Sequence, residues 1–138
     1  MARMNLTLRA GERLFVNGAV LRTDRKVTLE LLNDAAFLLE NHVIQASEAT
    51  TPLRQIYFAV QTMLMEPASA DNSMPFARQL MDAAIESFQT PGIVAGVRDV
   101  ASLVQRKRYY DALKQLRSLY AHEDAEMRPS VVARQTAA

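Results

Sequence analysis

Residues 13–22 read RLFVNGAVLR, an Asn-Gly pair between two largely apolar runs. Asn-Gly accepts the positive φ angles that both central positions of a type I′ turn require, and this two-residue loop matches the twist of paired antiparallel strands. The turn also sets the register, in which Val16 faces Ala19 and Arg13 faces Arg22. The segment therefore predicts a β-hairpin near the N-terminus.

The apolar period changes once along the chain. From Met4 to about Leu39, apolar and polar residues alternate, which is typical of short strands, and further turns are expected at 10–11, 23–26 and 33–34. From Thr51 onward, the apolar residues recur at helical spacing. We therefore expect an α+β fold. Its predicted parts are an antiparallel β lobe at 1–44, a bundle of about four helices at 45–124, and a disordered tail at 125–138.

Proline marks three predicted helix starts. The pairs Thr51-Pro52, Met74-Pro75 and Thr90-Pro91 each place proline in a first turn, where its missing N–H has no partner to lose, and the two threonines are expected to cap their helices. The first helix should end before Pro67. The second should span about 75–89, and the apolar phase slips near 105–108, which predicts a break between two antiparallel helices. The expected buried residues of the second helix are Phe76, Leu80, Ala84 and Phe88.

Composition argues against most enzyme chemistry. The chain has no cysteine, which excludes disulfides, thiolate metal sites and a cysteine nucleophile, and its two histidines, His42 and His122, do not indicate a metal site. It also lacks the glycine-rich phosphate loops and the nucleophile or zinc motifs of common enzyme families. We expect no catalytic residue, no metal and no cofactor.

No segment of the sequence indicates a membrane or secretion signal. The longest uncharged stretches, such as 56–65, reach half of the roughly 20 apolar residues that span a bilayer. Residues 1–9 lack the apolar region of a secretory signal. We expect a cytoplasmic protein without a membrane partner.

The net charge of +1 conceals an uneven distribution. Residues 1–40 carry six basic and five acidic side chains, residues 41–100 carry three and six, and residues 101–138 carry seven and four. The middle is therefore acidic and the C-terminal third is basic. Such asymmetry is compatible with nucleic-acid binding, although it is far weaker than a strongly basic footprint.

Six short segments carry a resemblance to a known family. They are LRAGERLFVNGAV at 8–20, DRKV at 24–27, LLND at 31–34, FLLE at 37–40, TTPLRQIYF at 50–58 and QTML at 61–64. Through them, roughly residues 5–120 resemble the flagellum biosynthesis regulator family FlbT. The resemblance implies a cytoplasmic bacterial protein that binds the 5′ untranslated region of flagellin messenger RNA and sets its translation or stability. It also implies a FlaF-type flagellar regulator as a partner, and it leaves repression or activation open.

A shorter resemblance covers residues 6–16, LTLRAGERLFV. This segment is similar to the first strand and turn of the carbon storage regulators, small β proteins that bind messenger leaders. In that family, basic residues of the first strand take part in RNA binding. Arg9 stands at the matching position, so the resemblance implies a role for Arg9 in RNA binding.

The predicted hairpin supplies a first RNA-binding candidate. Like charges directly opposite on paired strands are destabilising, so Arg13 and Arg22 favour an anion between them, and a phosphate would serve. Phe15 on the same face is a candidate stacking ring. The alternative is that these arginines are solvated and neutralised by nearby acids, with Phe15 in the core. The patch is completed by Arg9, Arg25 and Lys26, and the neutralising acids would be Glu12, Asp24 and Glu30.

A second candidate is Arg106-Lys107-Arg108 followed by Tyr109-Tyr110, where cations could bind phosphates and tyrosine rings could stack on bases. A charged corner between two helices would have the same sequence, and we expect one tyrosine to belong to the core. A different function also stays open: the apolar helix faces could dock a partner such as a FlaF-type regulator, or a second copy in a homo-oligomer. The adaptable contacts there would be Met63, Met65, Met74 and Met81.

Overall fold

A computed structural model describes residues 4–33 and 35–128 and confirms the α+β class. Short 3₁₀ turns at 40–42 and 46–48 join the strands to the helices, and a third lies at 67–69. The strands are β1 (Met4–Leu8), β2 (Arg13–Val16), β3 (Ala19–Arg22), β4 (Val27–Leu31) and β5 (Phe37–Leu39). The helices are α1 (Pro52–Met65), α2 (Ala70–Ser87), α3 (Pro91–Gln105) and α4 (Tyr109–Met127).

The strands form two small antiparallel sheets. In one sheet β1 pairs with β4, and in the other β2 lies between β3 and β5. The β2–β3 hairpin has the predicted register, which places Arg13 opposite Arg22. Its turn residues Asn17 and Gly18 have φ angles of 48° and 86°. Two consecutive positive φ angles confirm the type I′ turn.

The three-stranded sheet separates two hydrophobic cores. Leu14 and Phe37 point to one face, where they join Leu6 from β1 in a small β core. Phe15 and Leu38, which are register partners, point to the other face and pack against the helices. This alternation is the period of two expected from strands, and it places the sheet between a second sheet and the helical bundle.

Two polar side chains of α1 hold the segment that connects β5 to the helices. The Tyr57 hydroxyl donates to the His42 carbonyl at 2.6 Å. The Gln61 side chain accepts from the Ile44 N–H and donates to the Ile44 carbonyl, both at 2.8 Å. Gln61 is only 4% exposed, so these bonds satisfy backbone and side-chain groups that water cannot reach.

The start of α1 is capped by a carboxylate from α4. Glu123 is fully buried, and its Oε2 accepts from the Leu53 N–H at 2.7 Å. Its Oε1 accepts from the Thr51 hydroxyl and, at 2.9 Å, from Arg54 Nη1. Arg54 also pairs with Asp124 at 3.1 Å. The first free N–H and the positive end of the α1 dipole are therefore satisfied by a residue 70 positions away.

A second carboxylate of α4 holds the two residues that come just before α3. Glu126 accepts from the Thr90 N–H at 2.7 Å, from the Gln89 N–H at 3.0 Å and from the Thr90 hydroxyl. The prediction that Thr90 caps α3 with its own side chain is wrong, because the hydroxyl binds Glu126 instead. The Thr90 hydroxyl and then the Gln89 N–H lower the pKa of Glu126.

The pair α3 and α4 shows the predicted break. The helices are joined at 106–108, and a Cβ added at Gly96 of α3 would lie 2.6 Å from Leu119 Cδ1 of α4. Glycine therefore permits the close approach of the two helices.

Helix α4 extends to Met127, past the predicted boundary at 124, and its last turn includes Glu126 with its hydrogen bond to the Thr90 N–H. The rest of the predicted tail, residues 129–138, and Asp34 of the predicted 33–34 turn lie outside the described residues.

The second helix differs from its prediction. It begins at Ala70, so Pro75 lies inside it and Phe76, expected in the core, is 60% exposed. Because Pro75 lies in the second turn, it removes only one backbone hydrogen bond, to a carbonyl near the helix start. The helix follows directly on the 3₁₀ turn at 67–69. The buried face consists of the small or flexible residues Ala70, Ala77, Met81 and Ala84.

Within residues 4–33 and 35–128, no helix is both long enough and apolar enough to span a bilayer. The same residues hold no cluster of three side chains suited to binding a metal ion.

We predict that Glu123→Gln destabilises the protein by about 3 kcal/mol. The amide keeps only one acceptor oxygen, so its NH2 group would face a donor, either the Leu53 N–H or Arg54, and the Arg54 charge would be left without its buried partner. Asp124→Asn is the matched control, because its contact to the same arginine is exposed and is worth at most about 1 kcal/mol. Urea unfolding midpoints measure both changes, and equal losses would contradict the capping role of Glu123.

We also predict that the stabilising effect of Glu126 depends on pH. A lowered pKa means that Glu126 stabilises the fold above the ordinary glutamate range and loses this effect as the pH falls through the lowered value. Glu126→Gln should therefore lower the melting temperature at pH 7, and the difference from the unsubstituted protein should shrink as the pH falls below the ordinary glutamate range. Glu86→Gln, an exposed change on α2, is the control. A gap that persists in acid would refute this effect of Glu126.

Candidate nucleic-acid interface

The cross-strand arginine pair lies on the exposed surface of the hairpin. Arg13 Nε is 2.9 Å from Glu40 Oε1, with 58% of the Arg13 side chain and 42% of the Glu40 side chain exposed. The predicted negative group beside Arg13 therefore exists, but it is Glu40, which follows β5, rather than one of the three expected acids. Among the described residues, Arg22 has no carboxylate within ion-pair distance. A surface bridge of this kind is worth at most about 1 kcal/mol, so a phosphate can compete for Arg13.

Arg9 and Lys26 line a groove where the ends of β1, β4 and β5 meet. The groove has a volume of about 630 Å³. Among the described lining residues, only Glu12 carries a carboxylate, which is oriented by a bond from the Arg9 N–H at 3.0 Å. Two exposed cations beside one fixed carboxylate favour a polyanion such as a nucleic-acid backbone. The other lining residues are Thr7, Leu39 and Asn41.

Arg25 and Phe15 fit the alternative interpretation, in which the arginines are neutralised by nearby acids and the ring packs in the core. Arg25 pairs with its neighbour Asp24 at 3.2 Å, and both side chains are largely exposed. Phe15 is half-buried and packs against the helical core rather than standing free for a base. The five basic candidates of the β lobe are therefore all exposed, but the aromatic ring that was expected beside them is not.

The second basic candidate lies in the turn between α3 and α4. Arg106, Lys107 and Arg108 are all exposed, and Arg108 pairs with Asp111, with 2.9 Å between Arg108 Nε and Asp111 Oδ2. Tyr109 is 7% exposed and belongs to the core. Tyr110 is half-buried and stacks on Phe37 of β5 with ring centroids 4.3 Å apart.

The backbone of this turn is strained at Lys107. The Lys107 N–H donates to the Val104 carbonyl and the Arg108 N–H to the Leu103 carbonyl, a pair of bonds that ends a helix with one left-handed residue. Lys107 is that residue, with φ of 61°. A side chain in this conformation costs about 1 kcal/mol, which is why glycine is usual there.

A polar cluster between α1 and α4 was missed from the sequence. Arg117 Nη1 donates to the Tyr57 hydroxyl at 2.9 Å, and burial raises the pKa of Tyr57. Burial, and then the Arg117 charge, lowers the pKa of His42. His42 is therefore neutral at pH 7 and adds no charge to either basic surface. These residues come from three distant parts of the chain, so no local pattern identifies them.

The strand and turn implied by the resemblance to carbon storage regulators are present. β1 is followed by a turn in which Gly11 has φ of 81°, and then by β2. The two strands belong to different sheets, however, and Arg9 lies in the turn after β1. A role for Arg9 in RNA binding stays a prediction.

Comparison with known proteins places the chain in a family. The family model described as "Flagellar protein FlbT" matches residues 4–127. A "Probable flagellum biosynthesis repressor protein FlbT" of Rhizobium leguminosarum bv. trifolii is 48% identical over 134 residues, covering 94% of this chain and 90% of the relative. The protein of the same name from Brucella anthropi is 51% identical over 120 residues, covering 87% of this chain and 79% of the relative.

A third relative with that name, from Chelativorans sp., is 49% identical over 119 residues, covering 86% of this chain and 82% of its own. No solved structure matches the chain. The strands, the capped helices and both basic surfaces all lie inside the matched region. The chain therefore belongs to the FlbT family of flagellar proteins.

Proposed function

We propose that this protein is a cytoplasmic regulator of flagellar biosynthesis that binds the 5′ untranslated region of flagellin messenger RNA and controls its translation or stability. Family membership supports a role in flagellar regulation, and the printed names of the relatives favour repression. The observation that carries RNA binding is the Arg13–Arg22 pair. Two like charges face each other on an exposed hairpin, and among the residues that the structure describes only Arg13 has a carboxylate beside it.

A phosphate would relieve this repulsion. Paired strands bring directly opposite Cβ atoms within about 5 Å, so one phosphate group can contact both guanidinium groups. Arg9 and Lys26 in the neighbouring groove then extend the positive surface along a nucleic-acid backbone. Such contacts supply affinity and position, while base contacts supply sequence preference.

Binding to a messenger leader offers a direct route to regulation. A protein bound across a leader changes how ribosomes and nucleases reach it, so translation or stability of the message would follow occupancy. The proposed function needs no catalytic group.

A second function is an adaptor that docks a flagellar partner such as a FlaF-type regulator. Phe76 favours it, because a phenylalanine 60% exposed on α2 offers an apolar anchor. Two of the four predicted methionine contacts do not favour it, since Met63 and Met81 are at most 2% exposed, and Met65 and Met74 are partly buried against the helical core. An adaptor interface of this kind would weaken on Phe76→Ser and would barely respond to salt.

We predict that the protein binds its flagellin leader more tightly than a scrambled leader, with an affinity that falls steeply as salt rises. Arg22→Gln should keep or slightly raise stability, because it removes the cross-strand repulsion. It should also weaken leader binding and lower the salt slope by about 0.7–1. Arg98→Gln, an exposed change on α3, is the control. Gel-shift titration at two salt concentrations gives both quantities, and salt-independent binding or equal effects of the two variants would exclude the proposed interface.

Glu40→Gln provides a test in the opposite direction. Removing the carboxylate frees Arg13 for a phosphate, so leader affinity should rise, whereas Arg13→Gln should lower it. Glu86→Gln adds the same net charge on α2, away from the hairpin, and should change affinity much less. Filter binding at one fixed salt concentration compares the variants. Weaker binding by Glu40→Gln would mean that the bridge positions Arg13 and that the carboxylate does not compete with RNA.

A further inference from the structure

A small pocket lies where the two lobes meet. Its volume is about 220 Å³, below the roughly 300–1,000 Å³ of sites for drug-sized ligands and enough for one nucleobase. One wall is the backbone connection from β4 to β5, at Ala35 and Ala36, and the other is the turn between α3 and α4. The lining residues on that side are Lys107 and Arg108 of the turn, and Tyr109, Tyr110 and Asp111 at the start of α4.

The pocket walls are held in place by contacts outside the pocket. The Ala36 carbonyl accepts from the Asn17 N–H at 3.0 Å, which fixes one wall to the hairpin turn. The Tyr110 ring stacks on Phe37, which fixes the other wall to β5. A site preformed in this way loses little entropy when it accepts a planar ring.

The polar groups of the pocket suit the edge of a base and the phosphate beside it. Arg108 uses only Oδ2 of Asp111, and no described residue donates to Oδ1. A carboxylate oxygen accepts from the exocyclic amino group of cytosine or adenine, a group that uracil lacks. Lys107 supplies an exposed cation at the rim for the adjacent phosphate.

The position of Lys107 is an independent sign that this cation has a role. The turn that ends α3 needs a left-handed residue and would be relaxed with glycine, yet a lysine with φ of 61° stands there. Strained side chains of this kind cluster at functional sites. The local structure therefore gives no reason for a lysine at this position, whereas a phosphate contact does.

We infer that this pocket accepts one unpaired, amino-bearing base of bound RNA, with Lys107 on the neighbouring phosphate. The inference rests on the proposed function and deepens it, because it assigns base preference to the turn between α3 and α4 and leaves general phosphate binding to the hairpin. Single-stranded segments are where proteins read bases in RNA, by stacking and by contacts to base edges.

The direct experiment uses the full chain labelled with ¹³C at its alanine methyl groups. Short single-stranded RNAs of adenine, cytosine or uracil alone, and inorganic polyphosphate, are each titrated and followed by NMR. A base in the pocket shifts the Ala35 and Ala36 methyl signals through its ring current, with adenine and cytosine RNAs binding more tightly than uracil RNA. Polyphosphate, which has no ring, should leave both signals nearly unchanged.

Variants separate the base contact from the phosphate contact. Ala35→Leu fills the pocket and should abolish the preference for adenine and cytosine, while Ala95→Leu on the exposed face of α3 should keep it. Lys107→Gly should weaken binding of every RNA by a similar factor, about threefold to tenfold, with an unfolding midpoint equal to or above that of the unsubstituted protein. Lys114→Gln, an exposed cation on α4 outside the pocket, is the charge control.

Several outcomes would overturn the inference. If the flagellin leader binds but the Ala35 and Ala36 signals do not move, or if Ala35→Leu keeps the base preference, the pocket is not a base site and the proposed function survives. Shifts caused by free mononucleotides but not by RNA would also exclude it. If neither the leader nor any RNA binds, the proposed function itself fails.

Discussion

The buried carboxylate of Glu123 is the contact on which the arrangement of the helices depends. It accepts from the first free N–H of α1 and pairs with the Arg54 charge, and one turn later Glu126 accepts from two N–H groups just before α3. The last turns of α4 thus hold the starts of two other helices. A helix start leaves unsatisfied donors and a positive dipole end, so two carboxylates three residues apart on one helix can fix the positions of both.

The opposite end of α4 connects the bundle to the sheets. Its first turn brings Tyr110 onto Phe37 of β5, and this stack joins the β core to the helical lobe. The same contact sets the basic turn at 106–108 against the connection between β4 and β5, which creates the small pocket. The basic hairpin and the basic turn at 106–108 are far apart in the sequence, and they therefore lie in two different lobes that α4 joins. We propose that the hairpin and its groove supply phosphate contacts and that the turn supplies base contacts.

Local signals in the sequence were sufficient for much of this fold. Asn17-Gly18 alone sets the hairpin register, because the turn type determines which residues face each other. The apolar spacing of α1 and α3 likewise predicts their buried faces, and the phase slip predicts the break before Tyr109. The start of α2 could not be predicted in this way. Its phase depends on the packing of small side chains such as Ala77, and this packing turns Phe76 to solvent.

The contacts that define the candidate site depend on long-range pairing. Glu40 reaches Arg13 only because β5 pairs with β2. Ala36 and Lys107 line one pocket only because Tyr110 of α4 stacks on Phe37 of β5. Neither pair of residues has a characteristic spacing in the sequence. The sequence therefore indicates which cations are candidates, but not which residues lie next to them. The central claim is that RNA lies across the hairpin and the turn between α3 and α4. Ultraviolet photocrosslinking of the unsubstituted flagellin leader to the full chain, with the crosslinked peptides identified by mass spectrometry, tests it most directly. We predict crosslinks within residues 9–26 and 106–111, whereas crosslinks confined to α2, or none, would contradict the claim.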